Sequence, residues 1–196
     1  MKTIGLILAG GLSSRMGKNK AELNLDGKSF LEKQFRLLSS IGALTDVYVS
    51  GSFVGFICIP DLLEKAGPIG GIHSALERFK SEPISLLVVP IDMPLILEDT
   101  LVALLKCQES FCEYDCYRFA DHELPLIIKN NVKVQKALGE LLSSSNRRMI
   151  SIRNLISKLN SFSCELTNPM TQQFVNINTR EDYERIIGDA HKACKK

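Results

Sequence analysis

Thr3-Ile4-Gly5-Leu6-Ile7-Leu8-Ala9, followed at once by Gly10-Gly11-Leu12-Ser13-Ser14-Arg15-Met16-Gly17-Lys18-Asn19-Lys20, decides how the chain folds. Ile4 to Ala9 carry no polar side chain, as expected of a central strand covered on both faces. The run then breaks through two glycines into a polar, cationic stretch. Backbone N–H groups can close on a phosphate only where side chains are absent, and glycine supplies the dihedrals of a tight anion-cradling turn. Arg15 and Lys20 add positive charge that suits phosphate oxygens. Two common nucleotide signatures fail here. No GxGxxG is present, and the GxxxxGK[ST] loop fails because five residues separate Gly11 from Gly17 and Lys18 precedes Asn19. A glycine turn with a solvated basic face is the plain alternative.

Outward from this stretch, short apolar runs predict further strands at Val47 to Ser50, Phe56 to Ile59, Leu86 to Pro90, Glu123 to Ile128 and Phe174 to Ile177. Helical patterns cover Phe30 to Ile41, Ile69 to Phe79, Thr100 to Cys107, Val132 to Leu142, Met149 to Leu159 and Arg180 to Ile187. Strand and helix in alternation predict an α/β architecture, a three-layer Rossmann-like domain with a mainly parallel sheet. Ligands of such sheets sit at the carboxyl ends of the strands, so the loops after the first and fourth strands are expected to carry the chemistry.

The 196 residues suit one domain spanning 1–196, with no internal repeat or low-complexity linker. Basic and acidic side chains, 24 against 22, leave a net charge of +2, which predicts neither a nucleic-acid nor a membrane-surface partner. The apolar runs Ile4 to Leu12 and Leu86 to Ile91 are too short for a membrane helix, which needs roughly 18 residues, and the first, broken by Gly10 and Gly11 and lacking a small-residue cleavage site, does not read as a signal peptide. A cytoplasmic location is therefore expected, with the six cysteines as reduced thiols. The spacing of Cys107, Cys112 and Cys116, with His122 nearby, matches neither zinc nor iron–sulfur patterns.

Asp92, in Ile91-Asp92-Met93-Pro94, should emerge at the end of the fourth strand. A carboxylate there can hold magnesium, with phosphate oxygens and waters completing an octahedron. An Asp near a Pro is also an ordinary turn or cap residue. Asp61 precedes Ala66-Gly67-Pro68-Ile69-Gly70-Gly71, where glycines at a helix start would let a nucleoside approach backbone amides. The same residues equally describe an ordinary helix start with Pro in its first turn.

The stretch LAGGLSSRMGKNKAELNLDGKSFLE, residues 8–32, resembles the signature LAGGxSxRMGxDKxxLxxxG of the molybdenum cofactor guanylyltransferases, a branch of the sugar-nucleotide pyrophosphorylase superfamily. The resemblance implies the nucleotide-diphospho-sugar transferase type of fold. It implies that Leu8, Ala9, Gly10 and Gly11 line the nucleotide and that Arg15 and Lys20 face its triphosphate. It further implies that Asp92 binds Mg2+ and that Asp61 and Gly67 contact the nucleotide. Asn19 stands where the family has Asp, and Ser50 where a base-contacting Asn often stands.

On the acceptor side, Asp121 to Ile127, with Pro125, resembles a PLxALY-type strand, and Phe174-Val175-Asn176-Ile177-Asn178-Thr179 resembles the family's FxNxNT stretch. Asn176 and Asn178 on a strand would point to one face and hydrogen-bond a pterin or phosphate. Thr179 with Glu181 and Asp182 also reads as a helix N-cap. Arg147 and Arg148 are either an acceptor-phosphate clamp or a solvated pair.

The implied activity is transfer of GMP from GTP to molybdopterin cofactor with release of pyrophosphate. Arg15, Lys20 and Asp92 are the expected catalytic residues, Pro125, Asn176 and Asn178 the expected acceptor-binding ones. Cofactor-accepting molybdoenzymes or their chaperones are the implied transient partners. A CTP-dependent transferase of the same fold is one alternative, and a non-catalytic nucleotide-binding or cofactor-delivery protein is another.

Overall fold

Residues alternate between two cores along the first strand, β1 (Lys2–Leu8): Ile4, Leu6 and Leu8 enter one, Ile7 the other. The computed structural model describes residues 1–10, 21, 23–25, 27–165 and 173–193. Gly11, Arg15, Asn19, Lys20 and Cys194 lie outside the described residues.

A short hairpin, β2 (Asn24–Leu25) with β3 (Lys28–Ser29), leads into α1 (Phe30–Ser40). Ser29 and Glu32 start this helix reciprocally: the Ser29 hydroxyl accepts from the Glu32 N–H at 3.2 Å, and the Glu32 carboxylate accepts from the Ser29 N–H at 2.8 Å. Then come β4 (Leu44–Ser50), β5 (Cys58–Ile59), α2 (Gly67–Arg78), β6 (Ile84–Pro90), α3 (Glu98–Ser110), β7 (Cys116–Phe119) and β8 (Leu126–Lys129). The chain finishes with α4 (Val132–Leu142), a 3-10 turn (Arg147–Met149), α5 (Ile152–Ser157), β9 (Ser161–Cys164) and α6 (Arg180–Ala193).

Among the described residues seven strands form one sheet in the order β5-β4-β1-β6-β8-β7-β9. β8 runs antiparallel to β6 and β7, and the other pairs are parallel. The sheet is mainly parallel, as the sequence predicts. On one face α1 and α3 pack through Phe30, Leu31, Leu38, Leu101 and Leu104 against Ile7, Leu87 and Val89. On the other, α2, α4 and α5 pack through Ile69, Ile72, Leu76, Leu138 and Leu155 against Leu6, Leu86 and Val88. Leu6, Leu87 and Val88 are fully buried. Burying such a side chain stabilises by about 1.5–3 kcal/mol, so the central strands carry much of the fold.

Some predicted elements differ. Phe174 to Ile177 is not a strand; residues 173–174 make a 3-10 turn and 175–178 are irregular. The Ile177 N–H is taken by the Asp92 carbonyl at 2.8 Å, and Phe174 packs edge-on against Phe119, so no ladder forms. Cys116–Phe119 and Ser161–Cys164 are strands that no apolar run announces. Arg118 and two serines interrupt them, and pairing with β8 and with each other makes them strands. The predicted Met149 to Leu159 helix begins at Ile152, because the Ser151 hydroxyl accepts from the Asn154 N–H at 3.2 Å and caps it there. The strand expected from Glu123 begins at Leu126.

Candidate active site

Sheet register brings the sequence-predicted residues together. Ile59, Ser50, Leu8 and Pro90 stand side by side across β5, β4, β1 and β6. Asp61, Gly10 and Asp92 each lie two residues beyond a member of that row, so three loops leave the sheet together at its carboxyl edge. The Ile91 N–H donates to the Leu8 carbonyl at 3.1 Å and extends the β1–β6 pairing to the base of the Asp92 loop.

Two adjoining cavities open there. The larger, about 600 Å³, is lined by Leu8, Ala9, Gly10, Pro68, Pro90, Asp92, Asp121, His122, Glu123, Ser151 and Asn176, among others. The smaller, about 280 Å³, is lined by Leu8, Gly10, Ser50, Asp61, Lys65, Gly67 and Pro68. Leu8, Gly10 and Pro68 border both, so one extended ligand can run from one into the other.

In the smaller cavity the buried Ser50 hydroxyl donates to Asp61 Oδ1 at 3.1 Å. A side chain at Gly10 would come to 3.7 Å from Asp61 Oδ2, so the glycine keeps that carboxylate open to a ligand. The Asp61 loop is fastened to α2: Ser74 Oγ accepts from the Leu62 N–H at 2.8 Å and donates to the Gly70 carbonyl at 2.9 Å. Gly67 opens the helix at φ 58°, a left-handed conformation that favours glycine. Gly71 lets α2 approach closely, since a Cβ there would sit 2.5 Å from Ser50 Oγ and 2.9 Å from Leu8 Cδ2.

In the larger cavity Asp92 stands beside Gly10. The far wall comes from the β7–β8 turn, where the Asp121 to Ile127 stretch of the resemblance begins. His122 stacks on Phe174 with ring centroids 4.0 Å apart and planes 23° apart. Burial lowers the His122 pKa, while the Asp121 carboxylate pushes the other way, so the neutral form of the ring is favoured. Arg118 Nη1 donates to the Phe119 carbonyl at 3.0 Å and props this turn from β7. Glu123 accepts from Arg153 Nε at 2.9 Å, tying the turn to α5.

Leu8, Ala9, Gly10, Asp92 and Asn176 thus line the larger cavity, and Asp61 and Gly67 the smaller. Pro125 is instead buried at the foot of β8, and its neighbour Leu124 takes the lining position. Asn178 lines neither cavity, and its backbone N–H donates to Asp182 Oδ2 at 3.1 Å, within the Thr179 cap of α6. Arg147 and Arg148 are exposed, and the lining passes to Ile150 and Ser151. Asp121 and His122 open the stretch that resembles the PLxALY-type strand, whereas Ser151 is a lining residue without a sequence pattern of its own; their place depends on the β7–β8 turn and the α5 cap.

Among the described residues no group of three His, Cys, Asp or Glu could hold a metal ion. The single carboxylate of Asp92 suits an ion that keeps several waters and draws further oxygens from its substrate, as magnesium does, rather than a zinc cage. Cys107, Cys112 and Cys116 are free, and burial pushes the Cys116 thiol up to about 12, where it is inert. No described helix is long and apolar enough to cross a membrane.

Solved structures of nucleotidyltransferases share this fold. A molybdopterin-guanine dinucleotide biosynthesis protein A from Archaeoglobus fulgidus superposes with a TM-score of 0.77 over 98% of this chain and 100% of that one, at 24% identity. A CMP:2-keto-3-deoxy-manno-octonic acid synthetase complexed with CTP does so with 0.69 over 98% and 100%, at 12% identity. Residues 5–160 match the family model described as MobA-like NTP transferase domain, and the chain belongs to that nucleotidyltransferase family. A molybdenum cofactor guanylyltransferase from Xanthomonas euvesicatoria pv. vesicatoria is 35% identical over 183 residues, 93% of each chain. A probable molybdenum cofactor guanylyltransferase from Methanothermobacter thermautotrophicus is 30% identical, covering 90% of this chain and 94% of its own.

Proposed function

We propose that this protein is a molybdenum cofactor guanylyltransferase, acting as one domain that transfers GMP from GTP to molybdopterin cofactor and releases pyrophosphate. The observation that carries the proposal is the register row that gathers Gly10, Asp61 and Asp92 at two continuous cavities, in a chain 35% identical to a guanylyltransferase over 93% of its length. The nucleoside occupies the smaller cavity, with Asp61 accepting from its N–H or O–H groups. The phosphates cross Gly10 to Asp92, and the acceptor lies along the His122–Phe174 wall. Asp121 and Glu123 repel phosphate from that wall, while the neutral His122 ring offers a stacking face for a pterin.

The acceptor's phosphate monoester is anionic at neutral pH, so it needs no general base. Its oxygen forms the bond to the α-phosphorus as the bond to the β-phosphate oxygen breaks. Rate enhancement comes from alignment and charge neutralisation. Asp92 would hold Mg2+, which when bound neutralises phosphate charge. Arg15 and Lys20 of the glycine loop would face the triphosphate. The product would pass to molybdoenzymes or their chaperones in the cytoplasm.

Pyrophosphate release measured with each of the four nucleoside triphosphates and molybdopterin cofactor tests this reading. GTP should be the substrate turned over. Preference for CTP would make the protein a cytidylyltransferase, and magnesium-dependent GTP binding without pyrophosphate release would make it a carrier.

A further inference from the structure

We propose that Gln34 is a positioning residue for the reaction, holding the Met93–Pro94 peptide so that the Asp92 carboxylate stays set in the cleft. The inference rests on the metal-holding role proposed above for Asp92. Gln34 lies in α1, on the core-facing side between Leu31 and Leu38, and is only 1% exposed. Its Nε2 donates to the Met93 carbonyl at 2.6 Å across 59 residues of sequence. That carbonyl also accepts from the Ile96 N–H at 3.3 Å, so both its lone pairs are engaged.

Three successive residues are thereby anchored to three different parts of the fold. Ile91 donates to Leu8 of β1, Asp92 accepts from Ile177 of the 175–178 segment, and Met93 accepts from Gln34 of α1. A segment pinned at every residue is rigid, and the carboxylate in its middle keeps one position as substrate charge develops.

Stability accounts for only one end of the amide, the paired Nε2. Gln34 Oε1 is buried and accepts no hydrogen bond among the described residues. A buried acceptor left unpaired is destabilising, and an apolar side chain of the same shape would remove that penalty. A polar group kept in a core at a cost to stability marks a functional constraint. The residue's single engaged atom faces the loop that carries Asp92, which names the constraint.

The test compares Gln34→Met, Gln34→Glu and Asp92→Asn proteins with the full-length parent. Melting temperature, GTP affinity in EDTA, Mn2+ affinity with GTP bound (by electron paramagnetic resonance titration) and kcat are measured. Gln34→Met should melt at or above the parent and bind GTP in EDTA within about twofold, while Mn2+ affinity and kcat fall about tenfold or more. Glu at this position can donate to the Met93 carbonyl only when protonated, and burial raises its pKa. The Gln34→Glu deficit should therefore shrink relative to the parent as pH falls. Mn2+ affinity and kcat of Gln34→Met within about twofold of the parent would overturn the inference, as would a pH-independent Gln34→Glu deficit should the methionine protein not fold. Loss of Mn2+ affinity in Asp92→Asn alone removes the role of Gln34 and keeps that of Asp92. Unchanged affinity in Asp92→Asn removes both.

Discussion

Replacing Gly71 by alanine isolates the contact on which the smaller cavity depends. The new methyl would lie 2.5 Å from Ser50 Oγ and 2.9 Å from Leu8 Cδ2, closer than Cβ contacts allow, and 3.2 Å from Ser50 Cβ, which is tight. Overpacking of a buried site costs about 1–3 kcal/mol, and the lower figure applies where a side-chain tip can move. Ser50 Oγ can move by rotating, but its 3.1 Å bond to Asp61 is then lost, at a further cost of about 1 kcal/mol. Alanine in a helix interior offsets about 1 kcal/mol relative to glycine. The balance is a loss of about 1 kcal/mol, or about 2–4 °C in melting temperature for a chain this long. The functional effect should be larger. Without Ser50, Asp61 no longer holds one orientation, and a charge-assisted bond to the nucleoside weakens by about 1.5 kcal/mol, or roughly tenfold in affinity. Differential scanning calorimetry and titration calorimetry with GTP measure the two quantities. A Gly71→Ala protein that melts higher than the parent and binds GTP equally well would refute the close approach of α2 to β4 and the coupling through Ser50.

Other outcomes follow from the same geometry. Asp92→Asn should lower kcat by about a hundredfold or more with a much smaller change in GTP affinity measured in EDTA, because one charge at the phosphates is lost while the nucleoside contacts remain. His122→Ala should raise the KM for the molybdopterin acceptor and leave that for GTP unchanged, whereas His122→Phe should retain most acceptor affinity; equal shifts for both substrates would contradict the assignment of that wall. Asp115 is buried and opposed by desolvation, yet its pKa is lowered by bonds from Lys133 Nζ at 2.8 Å, the Asn160 N–H at 2.9 Å and Asn131 Nδ2 at 3.0 Å. A depressed carboxyl pKa contributes stability that is present above its unfolded value, about 3.9, and is lost as pH falls through the folded value. Asp115→Asn should therefore cost about 2 kcal/mol in urea unfolding at pH 7, and the difference from the parent should shrink as pH falls below the ordinary carboxylate range.

Much of this protein was legible in the sequence for simple physical reasons. Central strands buried on both faces must be apolar throughout, so Ile4 to Ala9 and Leu86 to Pro90 announce themselves, and with them the positions of Gly10 and Asp92 that follow. The helix start at Gly67-Pro68 and the Thr179 cap are likewise local chemistry. Tertiary structure decided the rest. Cys116–Phe119 and Ser161–Cys164 are strands because of their neighbours, while Phe174 to Ile177, which looks like one, spends its backbone on Asp92 and its ring on His122 and Phe119. Only the register of β5, β4, β1 and β6 reveals that positions 61, 10 and 92 leave the sheet in one row, and only packing brings Gln34 under the Asp92 loop. Local patterns follow from a residue's own backbone and its near neighbours; convergence of residues tens of positions apart is set by pairing and packing between elements, and a linear pattern does not carry it.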